Sequence, residues 1–304
     1  MLAATHFAFI RHVAEFNLSY ATVAEFDARH AVFAAHDELI NAENANPENT
    51  FVLAHNEYST WTNAELDKLR GYRSNGRINA MTENNTPNAD SVDWVTKGCV
   101  TGVKNQGSCG SCWSFSTTGS MEGAHCAAGN TLVSLSEQEL VDCDTKDGNA
   151  GCNGGDMETA MVWTESNGLC TESDYAYKGK DGTCQESSCT AAVSCTSYSA
   201  VAAGSSSGLM ASIEVAPTSI AIEADKLVFQ FYSGGILNST KCGTNLDHGV
   251  LAVGYGTDGD QAYYLVKNSW GTSWGDSGYL KIANNGDGDG ICGIQMDAVR
   301  AITN

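Results

Sequence analysis

Lys104-Asn105-Gln106-Gly107-Ser108-Cys109-Gly110-Ser111-Cys112-Trp113-Ser114-Phe115-Ser116 is the stretch on which both fold and chemistry turn. Glycines at 107 and 110 suit a tight turn, and the periodic segment Cys112–Ala128, stopped by Gly129-Asn130, suits a helix. Cys112 then falls at a helix N-terminus, where unpaired N–H groups and the macrodipole favour negative charge. A thiol attacks as thiolate, so its ordinary pKa of ~8.5 has to fall, to about 3–4 where a histidine pairs with it. Position alone fits a structural half-cystine as well.

A nucleophile needs a base, and only His125 and His248 follow residue 85. His125 lies thirteen residues along the same helix, too far to reach back. His248, in Asn245-Leu246-Asp247-His248-Gly249-Val250, sits at the mouth of a strand and can face Cys112 across a cleft. Twenty residues on comes Lys267-Asn268-Ser269-Trp270-Gly271-Thr272-Ser273-Trp274-Gly275. An Asn carbonyl accepts an imidazole N–H and fixes the ring, and a neighbouring indole shields that bond from water. A packed histidine and a turn asparagine are the plainer alternatives.

The 304 residues suit two domains, or one with an appendage. Their 42% hydrophobic content can build a core, and a net charge of −20 argues against nucleic acid or an anionic membrane as partner. Twelve cysteines point to an oxidising compartment, in the secretory pathway, a lysosome or vacuole, or outside the cell. No apolar run reaches the ~18–20 residues that cross a bilayer. Met1–Ile10 is interrupted by His6 and closed by Arg11-His12, so it makes a poor signal; if the protein is exported, its signal is expected to have been trimmed or to lie upstream.

The chain changes character near residue 85. Residues 1–84 contain no cysteine and five of the seven histidines, His6, His12, His30, His36 and His55. They read as helical, with Phe16, Val23, Phe26, Val32, Phe33, Leu39 and Ile40 spaced for one helical stretch over 14–44. The polar seam 81–88, with Pro87, reads as an exposed linker. The expected units are therefore 1–84 and 85–304. Beyond the seam, Ser136–Val141 follows a Ser136-x-x-Glu139 capping box, and Asp156–Ser166 completes a helical half. Ser219–Glu223, Gly249–Tyr255, Ala262–Lys267 and Tyr279–Ile282 read as strands, which makes an α+β body with a cleft. Gly204–Gly208 reads as a surface loop.

Cys109-Gly110-Ser111-Cys112-Trp113, Val92-Asp93-Trp94 and Gly151-Cys152-Asn153-Gly154-Gly155 occur in order, with His248 136 and Asn268 156 positions after Cys112. With these motifs the sequence resembles the papain-like cysteine proteases, most closely the cathepsin L-like branch, over nearly its whole length. The resemblance implies a helical left half and a β-barrel-like right half with the active-site cleft between. It implies Cys112 as nucleophile, His248 as base and then acid, Asn268 as orienting group, and Gln106 with the Cys112 N–H as oxyanion donors. Trp270 would cover the His–Asn pair, Trp274 would wall the leaving-group side, and Gly154-Gly155 would pair with extended substrate. Met157, Ala221, Leu246 and Gly249 match an apolar pocket for the residue second before the scissile bond. Asp247 is counted with the substrate-binding residues. Asp297 would stand at the pocket floor and admit Arg beside Leu or Phe, or else be a solvated loop acid.

The same resemblance makes residues 1–84 an inhibitory propeptide that runs through the cleft in the non-productive direction. Glu25, Arg29, Phe33, Ile40 and Asn44 match its helix pattern, with His36 where an Asn is usual and Glu25–Arg29 as an i,i+4 pair. Positions 29, 33, 36, 40 and 44 share one helix face. Asn56 and Tyr58 fit a later motif, and Thr60 replaces its Asp. The propeptide histidines are expected to be solvated; the competing idea is that their protonation loosens the propeptide. Family disulfides would be Cys109–Cys152, Cys143–Cys184 and Cys242–Cys292. Cys170–Cys189 matches a bridge of apicomplexan relatives and Cys99–Cys126 one of cathepsin B, which leaves Cys195 free and buried.

Asn17, Asn84 and Asn238 head glycosylation sequons. Asp287-Gly288-Asp289 lacks the other ligands of a calcium loop and reads as a turn. No cofactor or metal is expected; protein and peptide substrates and the chain's own propeptide are the expected partners, and the protein is expected to be a monomer. The conclusion is an endopeptidase zymogen. An exopeptidase is the enzymatic rival, a catalytically silent binding homologue the rival from another class, and a thiol or metal site of Cys109, Cys112 and His125 the third.

Overall fold

The computed structural model describes residues 2–76, 81–82, 86–185 and 189–303; Asn84 of the second sequon lies outside them. Two helices, α1 (Leu2–Glu15) and α2 (Val23–Asn44), replace the single stretch expected over 14–44. The break is local. Asn17 takes a left-handed φ of 49°, and the Thr22 side chain accepts the Glu25 amide, restarting the helix. The Glu25–Arg29 pair is not formed either. Arg29 instead reaches Glu65 with Nη1 and Nη2, at 2.5 and 2.7 Å, while Glu25 accepts the Ala21 amide at its own helix start. A bidentate fork outcompetes a flexible i,i+4 contact. Phe33 and Ile40 of the expected face are buried, and His36 and Asn44 reach Ser59 and Leu53.

The chain continues through β1 (Phe51–Leu53), α3 (Asn63–Leu66), β2 (Met81–Thr82) and β3 (Val92–Asp93) to α4 (Cys112–Ala127), which is buried from Cys112 to Ala124. Next come α5 (Glu137–Cys143) and α6 (Met157–Asn167). Ser136 caps α5 by accepting the Glu139 amide, but the Glu139 carboxylate turns to the Cys170 amide, so the capping box is one-sided. Asp156 caps α6.

The remaining elements are β4 (Cys195–Ala200), α7 (Ser206–Val215), β5 (Thr218–Ile222), α8 (Leu227–Gln230), β6 (Tyr232–Leu237), β7 (His248–Asp258), β8 (Gln261–Lys267), β9 (Tyr279–Ala283) and β10 (Ala298–Thr303). The loop expected over Gly204–Gly208 is the start of α7. Ser205 accepts the Gly208 amide and Asp287 accepts that of Ser206, which satisfies donors that a serine run would otherwise leave to water. The calcium-like Asp287-Gly288-Asp289 segment is thus a turn braced to a helix end. One sheet runs β1-β6-β9-β8-β7-β5-β10-β4-β2, with β3 on β7, and its path is open among the described residues.

Two cores result. Val250, Ala252, Trp270, Trp274 and Leu280 fill the sheet side, and Trp113, Met121, Leu140, Met161 and Leu169 fill the helical side. The N-terminal region enters both, with Leu66 and Leu69 in the first and Tyr72 in the second. Disulfides join Cys99–Cys126, Cys109–Cys152, Cys143–Cys184, Cys170–Cys189 and Cys242–Cys292; Cys112 and Cys195 are free and buried.

Cys109–Cys152 binds the turn before Cys112 to the turn before Gly154-Gly155. Replacing both cysteines with Ser is expected to cost about 2–5 kcal/mol, read as a lower melting temperature of the full chain; an unchanged melt would show that the two turns hold their places without it.

Candidate active site

Cys112 opens α4, and His248 opens β7, so one side chain comes from each half and the two meet where the halves touch. Both are fully buried. The Cys112 Sγ accepts the amides of Gly71 and Gly249, each at 3.3 Å. His248 Nε2 lies 2.8 Å from Asn268 Oδ1. An amide oxygen only accepts, so Nε2 carries the proton and Nδ1 keeps its lone pair. Nδ1 has no hydrogen-bond partner among the described residues.

Asn268 Oδ1 also accepts the Ser269 amide at 2.8 Å, and the Ser269 hydroxyl donates to Gln106 Oε1 at 2.7 Å. Ser269 thereby orients both amide side chains, a role that no motif in the sequence marks. With its oxygen held, Gln106 turns its nitrogen to two carbonyls, Leu69 at 3.0 Å and Cys109 at 2.8 Å. Tyr177, also unmarked, bonds the Gln106 carbonyl and Ser111 and so fixes the turn before the thiol. The Trp270 ring lies over His248 at 4.9 Å. Trp274 is buried one layer deeper, its indole N–H donating to the Gln230 carbonyl.

Burial pushes the Cys112 thiol up to about 11, against the Gly249 and Gly71 amides that favour the thiolate. Burial likewise holds His248 down to about 4, with the Asn268 contact working the other way. The covered groups are therefore a neutral thiol and a neutral imidazole, linked through the Gly249 amide next to His248.

The cover is residues 69–73. Gly155 donates to the Gly71 carbonyl at 2.8 Å and accepts the Arg73 amide at 2.9 Å, in a parallel bridge of Tyr72 with Gly155. Gly71 has to be glycine, since a Cβ there would stand 1.9 Å from the Gly110 carbonyl oxygen. Gly155 is equally constrained, with Trp113 2.7 Å from any Cβ. Tyr72 is packed in the core that contains Cys112, Met157 and Ala221, with Leu246 against it; Gly249 backs Met157. Its phenol donates to the Asp297 carboxylate, whose pKa burial raises despite that bond. Asp297 is thus no solvated loop acid. Arg70 Nε lies 2.8 Å from Asp247 Oδ2, and burial lifts Asp247 to about 6.

Behind Asn268, Lys104 Nζ bridges Glu122 at 2.9 Å and Glu137 at 2.5 Å, and Lys267 Nζ donates to Thr101 at 3.1 Å. These buried charges tie α4 and α5 to the end of β8. The Cys109–Cys112–His125 alternative is not assembled, because Cys109 is bonded to Cys152. Among the described residues one candidate metal group occurs, Glu139, Cys170 and Cys189, and its two sulfurs are already bonded to each other. Asn17 and Asn238 are exposed.

Residues 88–302 match the family described as papain family cysteine protease, and residues 9–66 match the cathepsin propeptide inhibitor domain. Digestive cysteine proteinase 1 of Homarus americanus is 46% identical over 268 residues, spanning 86% of this chain and 83% of that one. Among solved structures, digestive procathepsin L 3 of the Tenebrio molitor larval midgut superposes with a TM-score of 0.86 at 35% identity, covering 98% of both chains. A recombinant stem bromelain precursor gives 0.89 at 31% identity, also covering 98% of both.

With the thiol held at about 11, iodoacetamide is expected to alkylate Cys112 slowly at pH 7 in the full chain, and faster toward pH 11 as thiolate forms. Gly71→Ala cannot seat beside Gly110, and should raise the neutral-pH alkylation rate at least about tenfold. Equal rates in the two proteins would mean that residues 69–73 do not seal the sulfur.

Proposed function

The chain belongs to the papain family of cysteine proteases and is a proteinase zymogen with its inhibitor domain in place; from that premise we propose how residues 85–304 cut peptides and how residues 1–84 prevent it. Once residues 69–73 leave, water and substrate reach Cys112 and His248, and the proton passes from Sγ to Nδ1. The thiolate attacks the scissile carbonyl carbon, and the oxygen takes the electron pair beside the Gln106 amide and the Cys112 N–H. His248 returns the proton to the leaving amine as the C–N bond breaks, which leaves a thioester. A water, losing its proton to His248, then attacks the thioester, releases the acid product and restores the thiol. Asn268 keeps the imidazole turned throughout, under Trp270.

The observation that carries this reading is Gln106 holding the Leu69 carbonyl oxygen at 3.0 Å, two residues from a Gly71 amide on the sulfur. The same amide would then donate to an oxyanion beside the nucleophile. Gly154-Gly155 and Asp247 line the path that the propeptide now occupies. Trp274 supports Trp270 from below. Tyr72 indicates what the pocket of Met157, Ala221, Leu246 and Gly249 accepts, a large side chain that is apolar along its length with room at Asp297 for a polar tip. Leu, Phe and Arg are the proposed residues second before the cut. The five disulfides favour an oxidising compartment of the secretory, lysosomal, vacuolar or extracellular kind, and no described helix is long and apolar enough to cross a membrane.

The test is hydrolysis of fluorogenic dipeptides carrying Leu, Phe or Arg at that position, after acidification. Activity should rise as an N-terminal fragment is lost, and Cys112→Ala should abolish it by on the order of 10⁴-fold or more. Asp297→Leu should lower the Arg-to-Leu ratio about tenfold. That ratio should climb with pH in the parent enzyme, because a carboxyl attracts Arg only once it has lost its proton. Silence of the freed and reduced enzyme toward all three peptides would point to the non-catalytic homologue.

A further inference from the structure

His6 is exposed as expected, but the other propeptide histidines are half-buried or buried. His12 of α1 is 4% exposed, and His12 Nε2, His30 Nε2 and His55 Nδ1 are buried with no hydrogen-bond partner among the described residues. Aromatic rings surround them. Phe33 of α2 lies 5.0 Å from His12 and stacks on His55 at 4.0 Å; Phe9 of α1 lies 5.0 Å from His30. His12 and His55 are 5.9 Å apart, ring to ring. The titratable group bearing on His12 is His55. Those bearing on His55 are Asp37, 3.1 Å from its Nε2, and His36, both of α2. His6 of α1 sits on His30 at 5.1 Å. A neutral imidazole is tolerated in such a site; an imidazolium at His12, which has no acceptor for its Nε2, is not, and a charged His55 beside it, though held by Asp37, would repel it.

His55 is also the hinge between this core and the cleft. The Ala54 amide before it bonds the Phe231 carbonyl, Asn56 after it bonds that of Gln230, and Tyr58 donates to the Trp270 carbonyl over the active site. We propose that His12 and His55 form a proton-operated latch, whose charging as pH falls drives α1 and β1 off α2 and lifts the inhibitory segment from Cys112.

The direction of each titration supports this assignment. Burial, then His55, holds His12 down from 6.5 to about 4; burial also lowers His55, against Asp37. Stability from a depressed histidine is fully present above about 6.5 and is lost as pH falls toward 4. Glu65 is held at about 2, chiefly by its bond to Arg29, so that ion pair weakens only between 4.5 and 2. Asp247 and Asp297 have raised values and bind a proton more tightly when covered, so acid strengthens docking through them. Cys112 and His248 shift in opposite directions, and a proton passing between them leaves their total unchanged.

His12→Phe keeps a ring and removes the charge. In the full chain, processing followed by gel and peptide hydrolysis should have its pH midpoint moved down by about one unit, with the processed enzyme as active as the parent. An unchanged or higher midpoint overturns the latch. Histidine NMR titration of the full Cys112→Ala chain decides the matter independently of processing or of how the Phe variant folds. His12 should stay neutral well below 6.5 and charge in the same step that exposes the sulfur-side segment; a His12 titrating near 6.5 with that segment still docked overturns it.

Discussion

Two amide hydrogens close on the Cys112 sulfur at 3.3 Å, one from Gly71 of the inhibitor and one from Gly249 of the strand that carries His248. They are enough to orient the thiol but not to ionise it, since the water that would stabilise a thiolate has been displaced. Much of the remaining geometry serves this contact. Gly71 can approach because neither it nor Gly110 has a side chain, and it stays because Gly155 holds its carbonyl and Arg70 is anchored on Asp247. Inhibition here is a matter of dielectric as much as of blockage: the catalytic groups are all present, in an environment that favours their neutral forms.

The acid response is layered by the same logic. Groups covered by the propeptide divide according to whether cover favours their protonated or deprotonated form, and that sign decides which way each pulls as pH falls. Carboxylates under the cover resist opening in acid, and buried imidazoles promote it. With 36 acidic residues against 16 basic ones, the chain would be expected to respond to acid mainly through its carboxylates. The histidine core adds a response of the opposite sign over an overlapping range, from about 6.5 down to about 4.

Much of the site was legible because chemistry constrains residue type locally. The Cys112 turn and helix, the His248 strand mouth and the Asn268 loop each follow from short-range pattern, and all three lie where those patterns put them. Other features were invisible for reasons of range. Arg29 has an acid four residues away and pairs instead with one 36 residues away, a choice made by tertiary folding. Ser269 is one serine among many until Gln106 and Asn268 are seen on either side of it. The helix break at Asn17–Thr22 left the apolar spacing almost intact, so periodicity alone ran across it. The burial of His12 was missed because an imidazole suits a surface or a core alike, and only ring-to-ring packing separates the two.

β1 is the outermost strand of the sheet and lies within the propeptide inhibitor domain. When it departs, β6 becomes an edge, and a bare edge is a template for unwanted pairing between molecules. The row it exposes contains Gly234 and Gly235, the second with a left-handed φ of 81°, and its pairing with β1 already slips in register. A glycine-broken row offers its donors and acceptors out of line and adds no side chains to a partner's face. The strand that holds the inhibitor is therefore also one that, once stripped, is poorly made to recruit a replacement.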